Sequence, residues 1–294
     1  MLEIKSLLLE NKNQHKNLTN IKETKNSYDI NLSIDYNTKI GIYSQDTYTT
    51  DMLLRLIAGI NKPNKNSKIT IGKRSVYDNK EYFENRLYLD FSKLYLSTLN
   101  PSKIDEALNE KFATNLDKEK FSKISKDLNI RGECEILDKY YFSLSGNTLV
   151  NFALAASLDY KFLIINNPTL HINNNSSKSN ELEYVVDYFN KNYKSLIFGL
   201  NDLGLITTIL DYIIILDDFG FTHIIHHDSI LYVINAKDLT DEITKYKMFI
   251  SKDEERIILS SEISKEEIKA LKKKKIEVVA ITPDLVGGYL WKKI

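Results

Sequence analysis

Polar residues that could take part in chemistry lie at both ends of one segment, residues 140–175. Ser145 and Gly146 are expected to begin a buried helix, where free backbone N–H groups favour anions whatever the side chains are. Asn166 and Asn167 follow an apolar strand, but an amide cannot take a proton from water and binds Mg²⁺ less well than a carboxylate. The segment therefore predicts a contact with an anion and no acid–base catalysis.

A histidine cluster is the other group with possible metal chemistry. His223, His226 and His227 lie beside Asp228 in a stretch that resembles a strand. Side chains alternate in direction along a strand, and no second set of ligands with the spacing of a zinc site is present. We therefore expect no metal site here.

Composition excludes several classes of function. The 294 residues can form one large domain, alone or with a small appendage, and 40 basic residues balance 40 acidic ones. No strong field is expected to draw the chain to nucleic acid. The single cysteine, Cys134, allows no internal disulfide and fits a reducing compartment. With no leader-like N-terminus and no run of roughly 18 apolar residues, we expect a cytoplasmic protein.

Short apolar strands alternate with helical periods, which predicts an α/β fold with a parallel sheet buried on both faces. The strands are expected at 2–9, 29–34, 39–43, 68–76, 86–91, 162–165, 195–200 and 212–216. Helices are expected within 102–128, over 149–158 and around 182–189. After residue 220 the pattern starts again with strands, one helix over 265–274 and a final strand over 276–281.

Four short motifs in this order and spacing resemble the ATP-binding cassettes of ABC transporters, in particular the bacitracin and lantibiotic type. They are LLRLIAG, LSG, NNPT and IIILDDFG. The resemblance implies a P-loop NTPase-like (RecA-like) core over 1–100 and 155–220. It also implies a helical subdomain over 101–154 and a small α+β C-terminal extension over 221–294.

The phosphate-binding half of the family's Walker A loop is missing. Its glycines fall on Ser44, Thr47 and Thr49, its lysine on Thr50 and its magnesium-binding serine on Asp51. A P-loop needs glycines so that successive N–H groups point at a phosphate, and it needs the lysine to neutralise the β- and γ-phosphates. The resemblance therefore implies no nucleotide bound in cis.

The same stretch also fits an ordinary helix. We expect Thr49 or Thr50 to be its N-cap, Asp51 to lie at its positive end and Gly59 to end it. Both Asp46 and Asp51 would also place a carboxylate beside a polyanion. This second interpretation agrees with the first that ATP does not bind here.

The family's other catalytic residues are also replaced. The magnesium-binding aspartate of Walker B falls on Asn166, the catalytic glutamate on Asn167 and the switch histidine on Asn201. Asp90 and Phe91 occupy the place of the glutamine that senses the metal and the permease. The resemblance thus implies no catalytic residue, and permease coupling through Asp90 and Phe91.

The signature motif is partly kept, with Asn147 in place of its second glycine. In the family this motif contacts ATP held by the opposite subunit, which implies such a role for Ser145 and Gly146. A plain serine N-cap explains the same residues and stays open.

The chain would then be the catalytically inactive subunit of a heterodimer, and an active ATPase subunit would bind the ATP and Mg²⁺. A membrane permease for peptides or antimicrobial compounds would complete the transporter, and the chain would lie on the inner face of the membrane. Two alternatives are an active ATPase that uses Asp46 or Asp51 for metal, and a free-standing regulatory or scaffold protein.

Overall fold

A computed structural model of the chain describes residues 1–10, 27–77, 86–93, 116–130, 144–158, 160, 162–168, 179–192, 195–251 and 253–291. The strands are β1 Leu2–Glu10, β2 Ser27–Ile34, β3 Lys39–Ser44, β4 Lys68–Ile71, β5 Arg74–Ser75, β6 Arg86–Asp90, β7 Phe162–Asn166, β8 Leu196–Leu200, β9 Tyr212–Leu216, β10 Thr222–Ile225, β11 Leu231–Asn235, β12 Lys247–Ile250, β13 Arg256–Leu259 and β14 Val279–Ile281. The described helices are α1 Thr47–Ala58, α2 Lys118–Asp127, α3 Leu144–Ala156, α4 Ser179–Asn192, α5 Lys265–Lys273 and α6 Val286–Trp291. None of them is both long and apolar enough to cross a membrane.

The chain forms two compact units. The first unit consists of residues 1–53, 63–69 and 200–294. The second unit consists of residues 54–62 and 70–199. The predicted domain boundaries stay a prediction.

The N-terminal strands of the first unit are built from alternating apolar residues. β1 and β2 pair antiparallel, and Ile30, Leu32 and Ile34 lie buried on one face, as the alternation predicts. β3 pairs parallel with β9, and β10 pairs antiparallel with β9. The hydroxyl of the buried Tyr28 donates a hydrogen bond to the carbonyl oxygen of Asp217 over 2.7 Å. This bond ties β2 to the residue that follows β9.

A second sheet of the first unit is entirely antiparallel, in the order β12-β13-β11-β14. One of its faces carries Ile234 and Ile257, which are cross-strand partners and pack with Ile268 and Leu271 of α5 in one apolar cluster. The strands and the helix at 265–274 that the sequence predicts after residue 220 are confirmed, whereas α6 is a second helix that the sequence pattern did not predict.

In the second unit β6, β7 and β8 pair parallel, with β7 between the other two. The buried α3 places the Phe152 ring against Tyr188 and Phe189 of α4, with centroids 5.3 and 5.2 Å apart. Edge-to-face contacts of this kind add to the apolar burial that fixes a helix on its neighbour. Parallel strands in both units confirm the predicted α/β class. The helix expected from Ile104 lies outside the described residues.

Candidate functional site

The residues predicted to form the site divide between the two units. The first unit contains residues 44–51 and Asn201, and the second contains Asp90, Phe91 and the two groups 145–147 and 166–167.

Helix α1 begins at Thr47, directly after Asp46, and the hydrogen bonds of the Asp46 side chain make this residue the N-cap. The Asp46 carboxylate accepts hydrogen bonds from the Tyr48 N–H (3.1 Å) and from the Thr49 hydroxyl (2.8 Å). A carboxylate in this position satisfies N–H groups that have no partner within the helix and lies at the positive end of its dipole. The expectation that Thr49 or Thr50 is the N-cap is wrong, because both lie inside the first turn and are buried.

The backbone N–H groups of Asp46, Thr49 and Thr50 are bonded within this stretch. Thr49 and Thr50 donate to the Asp46 carbonyl oxygen over 3.1 and 3.4 Å, and the Asp46 N–H donates to the Ser44 hydroxyl over 3.3 Å. Thr47, which occupies a glycine position of the resemblance, is helical. At its other end the helix stops before Gly59, whose φ is +77°, so the predicted stop is confirmed.

Residues of the C-terminal extension contact the chain just before helix α1. The Gln45 side chain donates to the Ile250 carbonyl oxygen over 3.0 Å. The Tyr43 ring meets the Phe249 ring edge-on, with centroids 5.6 Å apart. Nothing in the sequence around Gln45 signalled this contact, because both partners lie about two hundred residues further along the chain.

In the second unit the strand pairing brings two predicted positions side by side. Asp90 and Asn166 are partners in the parallel register of β6 and β7, and the Phe91 N–H donates to the Asn166 carbonyl oxygen over 2.9 Å. The buried Asp90 carboxylate accepts from the N–H and the hydroxyl of Ser92 (3.0 and 2.6 Å). Lys93 lies 3.9 Å from the other carboxylate oxygen. Asp90 is therefore held by its own turn.

Helix α3 joins this group through two asparagines one turn apart. Asn147 and Asn151 each donate through Nδ2 to the Phe91 carbonyl oxygen over 3.3 Å. Asn151 is fully buried and also donates to the Lys93 carbonyl oxygen. Asn151 was not among the predicted site residues, although one amide in the otherwise apolar run of residues 149–158 was a usable signal. The helix begins at Leu144, so Ser145 lies in its first turn, and Ser145 is not the N-cap.

Asn167 has a left-handed backbone, with φ of 57°. Its N–H donates to the Gly199 carbonyl oxygen over 2.9 Å, while its side-chain oxygen has no hydrogen-bond partner among the described residues. Asn166 is almost completely buried. Asn166 and Asn167 thus lie at the end of β7, as the sequence predicts, and this strand end carries amides in place of carboxylates.

Asn201 directly follows β8 in the first unit. The carboxyl group of its neighbour, Asp202, lies against Gly287 of α6, where an added Cβ would come within 2.3 Å of Oδ1. Burial raises the pKa of Asp202, because the site disfavours the charged form. The switch position is therefore adjacent to a residue that contacts the C-terminal helix.

The three histidine side chains contact different partners. His223 Nε2 lies 2.7 Å from the buried Asp217 carboxylate, His227 Nδ1 lies 2.8 Å from the Leu210 carbonyl oxygen, and the His226 ring packs on Tyr212. Across the described stretches no group of three or more His, Cys, Asp or Glu residues could hold a metal ion.

Comparisons with known proteins identify the fold. No family model and no curated protein matches the sequence. Among solved structures, the dimeric ATP-binding cassette MJ0796 bound to ADP and Pi superposes with a TM-score of 0.55 at 16% identity, covering 77% of this chain and 98% of that one. A putative cobalt transport ATP-binding protein, cbiO-2, gives 0.57 at 16% identity, with 92% and 100% covered. For cbiO1 from Clostridium perfringens, part of the ABC transporter complex cbiONQ, the TM-score is 0.52 at 15% identity, and the match covers 76% of this chain and 86% of that one.

These likenesses extend over most of the chain at low sequence identity. The predicted P-loop NTPase-like class is confirmed, and the chain has the fold of an ABC transporter ATP-binding cassette.

Proposed function

We propose that this chain is a nucleotide-binding-fold subunit of an ABC transporter that neither binds nor splits ATP by itself. It would pair with an active ATPase subunit and couple that subunit to a membrane permease on the inner face of the membrane, in the export of peptides or antimicrobial compounds. Both the dimeric MJ0796 and cbiO1, part of cbiONQ, offer a precedent for such assemblies.

The start of helix α1 is the observation that carries this proposal. A P-loop binds phosphate through backbone N–H groups that are free to point at it, whereas the N–H groups of Tyr48 and Thr49 here already donate to Asp46. Here the helix already includes Thr47 and Thr49, and Asp46 supplies the anion at its end. A bound triphosphate would have to displace that carboxylate, and each charge-assisted hydrogen bond is worth about 1.5–3 kcal/mol.

The two amides at the end of β7 support the same proposal. By the sequence resemblance, Asn166 and Asn167 replace the family's magnesium ligand and general base, and neither side chain can act as a base. The alternative that Asp46 serves as a metal ligand is disfavoured, since both of its carboxylate oxygens already accept hydrogen bonds.

The start of α3 is the feature that would serve a partner. Gly146 and Ser145 lie in its first turn, and the helix is anchored to the β6 loop by Asn147 and Asn151. A rigidly held helix N-terminus can present N–H groups to an anion on another chain.

Reconstitution tests the pairing. The chain would be purified alone and together with the ATPase and permease subunits that copurify with it, and ATP turnover would be measured in both preparations. We expect turnover only in the complex, reduced by Ser145→Ala and unaffected by Ser261→Ala, a matched change at an exposed serine. Turnover by the lone chain, or purification without any membrane protein, would overturn the proposal.

A further inference from the structure

A cavity of about 310 Å³ lies in the first unit, bordered by the antiparallel sheet and by α6. Its lining includes Val233, Asn235, Arg256, Glu277, Val279 and Tyr289. Pockets that bind small molecules begin at about 300 Å³, so this cavity lies at the lower end of the range and suits a small ligand.

Strand register explains why these side chains share one face. Asn235 is the partner of Arg256 in the β11–β13 pair, and Val233 is the partner of Val279 in the β11–β14 pair. Residues two apart on a strand point to the same side, so Val233 and Asn235 face the cavity together. The opposite face carries Ile257 and packs on α5.

Arg256 is the charged centre of this cavity. Its guanidinium carbon lies 5.9 Å from the centroid of the Tyr289 ring, so the group is oriented by a cation–π contact. The guanidinium forms no hydrogen bond or ion pair within the parts of the chain that the structure describes. Its positive charge is a minor cause of the lowered pKa of Asp253, which depends first on a hydrogen bond from Ser251. An oriented guanidinium with open donors is suited to bidentate binding of a carboxylate.

Glu277 gives the cavity a second, opposite charge. The residue is exposed and lines the same space as Arg256. A purely anionic ligand would be repelled by Glu277, whereas an ammonium group would be attracted to it. Asn235 can both donate and accept, and the valines supply apolar surface.

We propose that this cavity binds a small zwitterion, a free amino acid or a short peptide, with its carboxylate on Arg256 and its ammonium group near Glu277. The Tyr289 ring would hold the guanidinium in place, and the valines would contact the apolar part of the ligand. The site lies in the C-terminal extension, so it is separate from every residue assigned to the nucleotide fold.

Calorimetry and thermal denaturation of the full chain test this proposal, with free amino acids and dipeptides at millimolar concentration as probes. We expect saturable binding of at least one probe and a raised Tm. Arg256→Met should weaken binding about tenfold or more, because it removes the charge-assisted hydrogen bonds and keeps an apolar stem. Glu277→Gln should weaken binding of the same probe, and Tyr289→Phe should leave its binding unchanged because the aromatic ring remains.

The controls separate this site from general charge effects. Lys269→Met removes an exposed cation from α5 and should leave binding unchanged. Absence of heat and of any Tm shift with every probe would overturn the proposal, as would equal binding by Arg256→Met. Acetate or inorganic phosphate binding as well as the amino acids would also overturn it, since it would show a simple anion site. The measurement needs no nucleotide, so its failure is distinguishable from failure of the proposed function.

Discussion

Asp46 determines where helix α1 begins. Replacing it by alanine removes the acceptor for the Tyr48 N–H and the Thr49 hydroxyl. We expect Asp46→Ala to lower the free energy of unfolding by about 1 kcal/mol, the usual cost of losing an N-cap. Asp46→Asn, which keeps an acceptor, should cost much less. Urea denaturation measures both, and an alanine variant as stable as the original chain would contradict the assignment of the cap.

Glu267 gives α5 a stability that depends on pH. It forms a capping box with Ser264 and accepts a hydrogen bond from the Tyr246 hydroxyl over 2.9 Å. The pKa of Glu267 is lowered from 4.5 to about 2, and the hydrogen bond from the Ser264 N–H is the largest cause. Because the pKa of Glu267 is lower in the folded chain than in the unfolded one, its stabilisation is complete above pH 4.5 and is lost as the pH falls towards about 2.

The variant Glu267→Gln tests that window, because glutamine can complete a capping box without titrating. Urea unfolding would be followed at several pH values between 4.5 and about 2. We expect the free energy of unfolding to fall less steeply with acid in the variant. Identical pH profiles for the two proteins would show that Glu267 does not contribute.

Gly59 and Gly288 form a matched pair of glycines with opposite expectations. A Cβ at Gly59 would lie 2.2 Å from the Val76 carbonyl oxygen, and the φ of +77° is unfavourable for alanine. Gly59→Ala should therefore destabilise the chain by more than about 1 kcal/mol. Gly288 lies within α6 with nothing within 4 Å of an added Cβ. Gly288→Ala should stabilise by roughly 0.5–1 kcal/mol, and thermal unfolding that ranks the two variants the other way would contradict the structure.

At the scale of elements, two asparagines fix α3 to the loop after β6. Both donate to the Phe91 carbonyl oxygen, so their contributions should be coupled. We expect Asn151→Ala to cost about 1–3 kcal/mol, more than Asn147→Ala, because Asn151 is fully buried and also bonds to Lys93. A double-mutant cycle in urea measures the coupling. Strictly additive losses would show that the two side chains act independently.

The two local errors of sequence reasoning have physical causes. The first error, the start of α1, arose because threonine and aspartate are both good caps, and only the backbone geometry shows which one is used. The second, Asn151, was missed because its partner is a main-chain carbonyl, and every sequence offers carbonyls at every position. Side-chain periodicity carries no information about such bonds.

At the scale of the whole molecule, the order of strands and helices could be predicted from the sequence. β9 was predicted at its observed bounds, and the buried face of β2 was predicted residue by residue, because burial imposes a period that composition reveals. Contacts between distant segments could not be predicted. The bond from Gln45 to Ile250 and the cavity beside Arg256 depend on how the C-terminal extension packs. No local pattern specifies that packing.

Calorimetric titration of the isolated chain with Mg-ATP tests the central claim most directly. Helix α1 already occupies the stretch that would cradle the phosphates, and Asp46 caps it. We predict no saturable binding and no turnover by the chain alone, with its fold verified by circular dichroism in the same preparation. Tight, magnesium-dependent binding of ATP that is abolished by a change within residues 44–51 would contradict the claim.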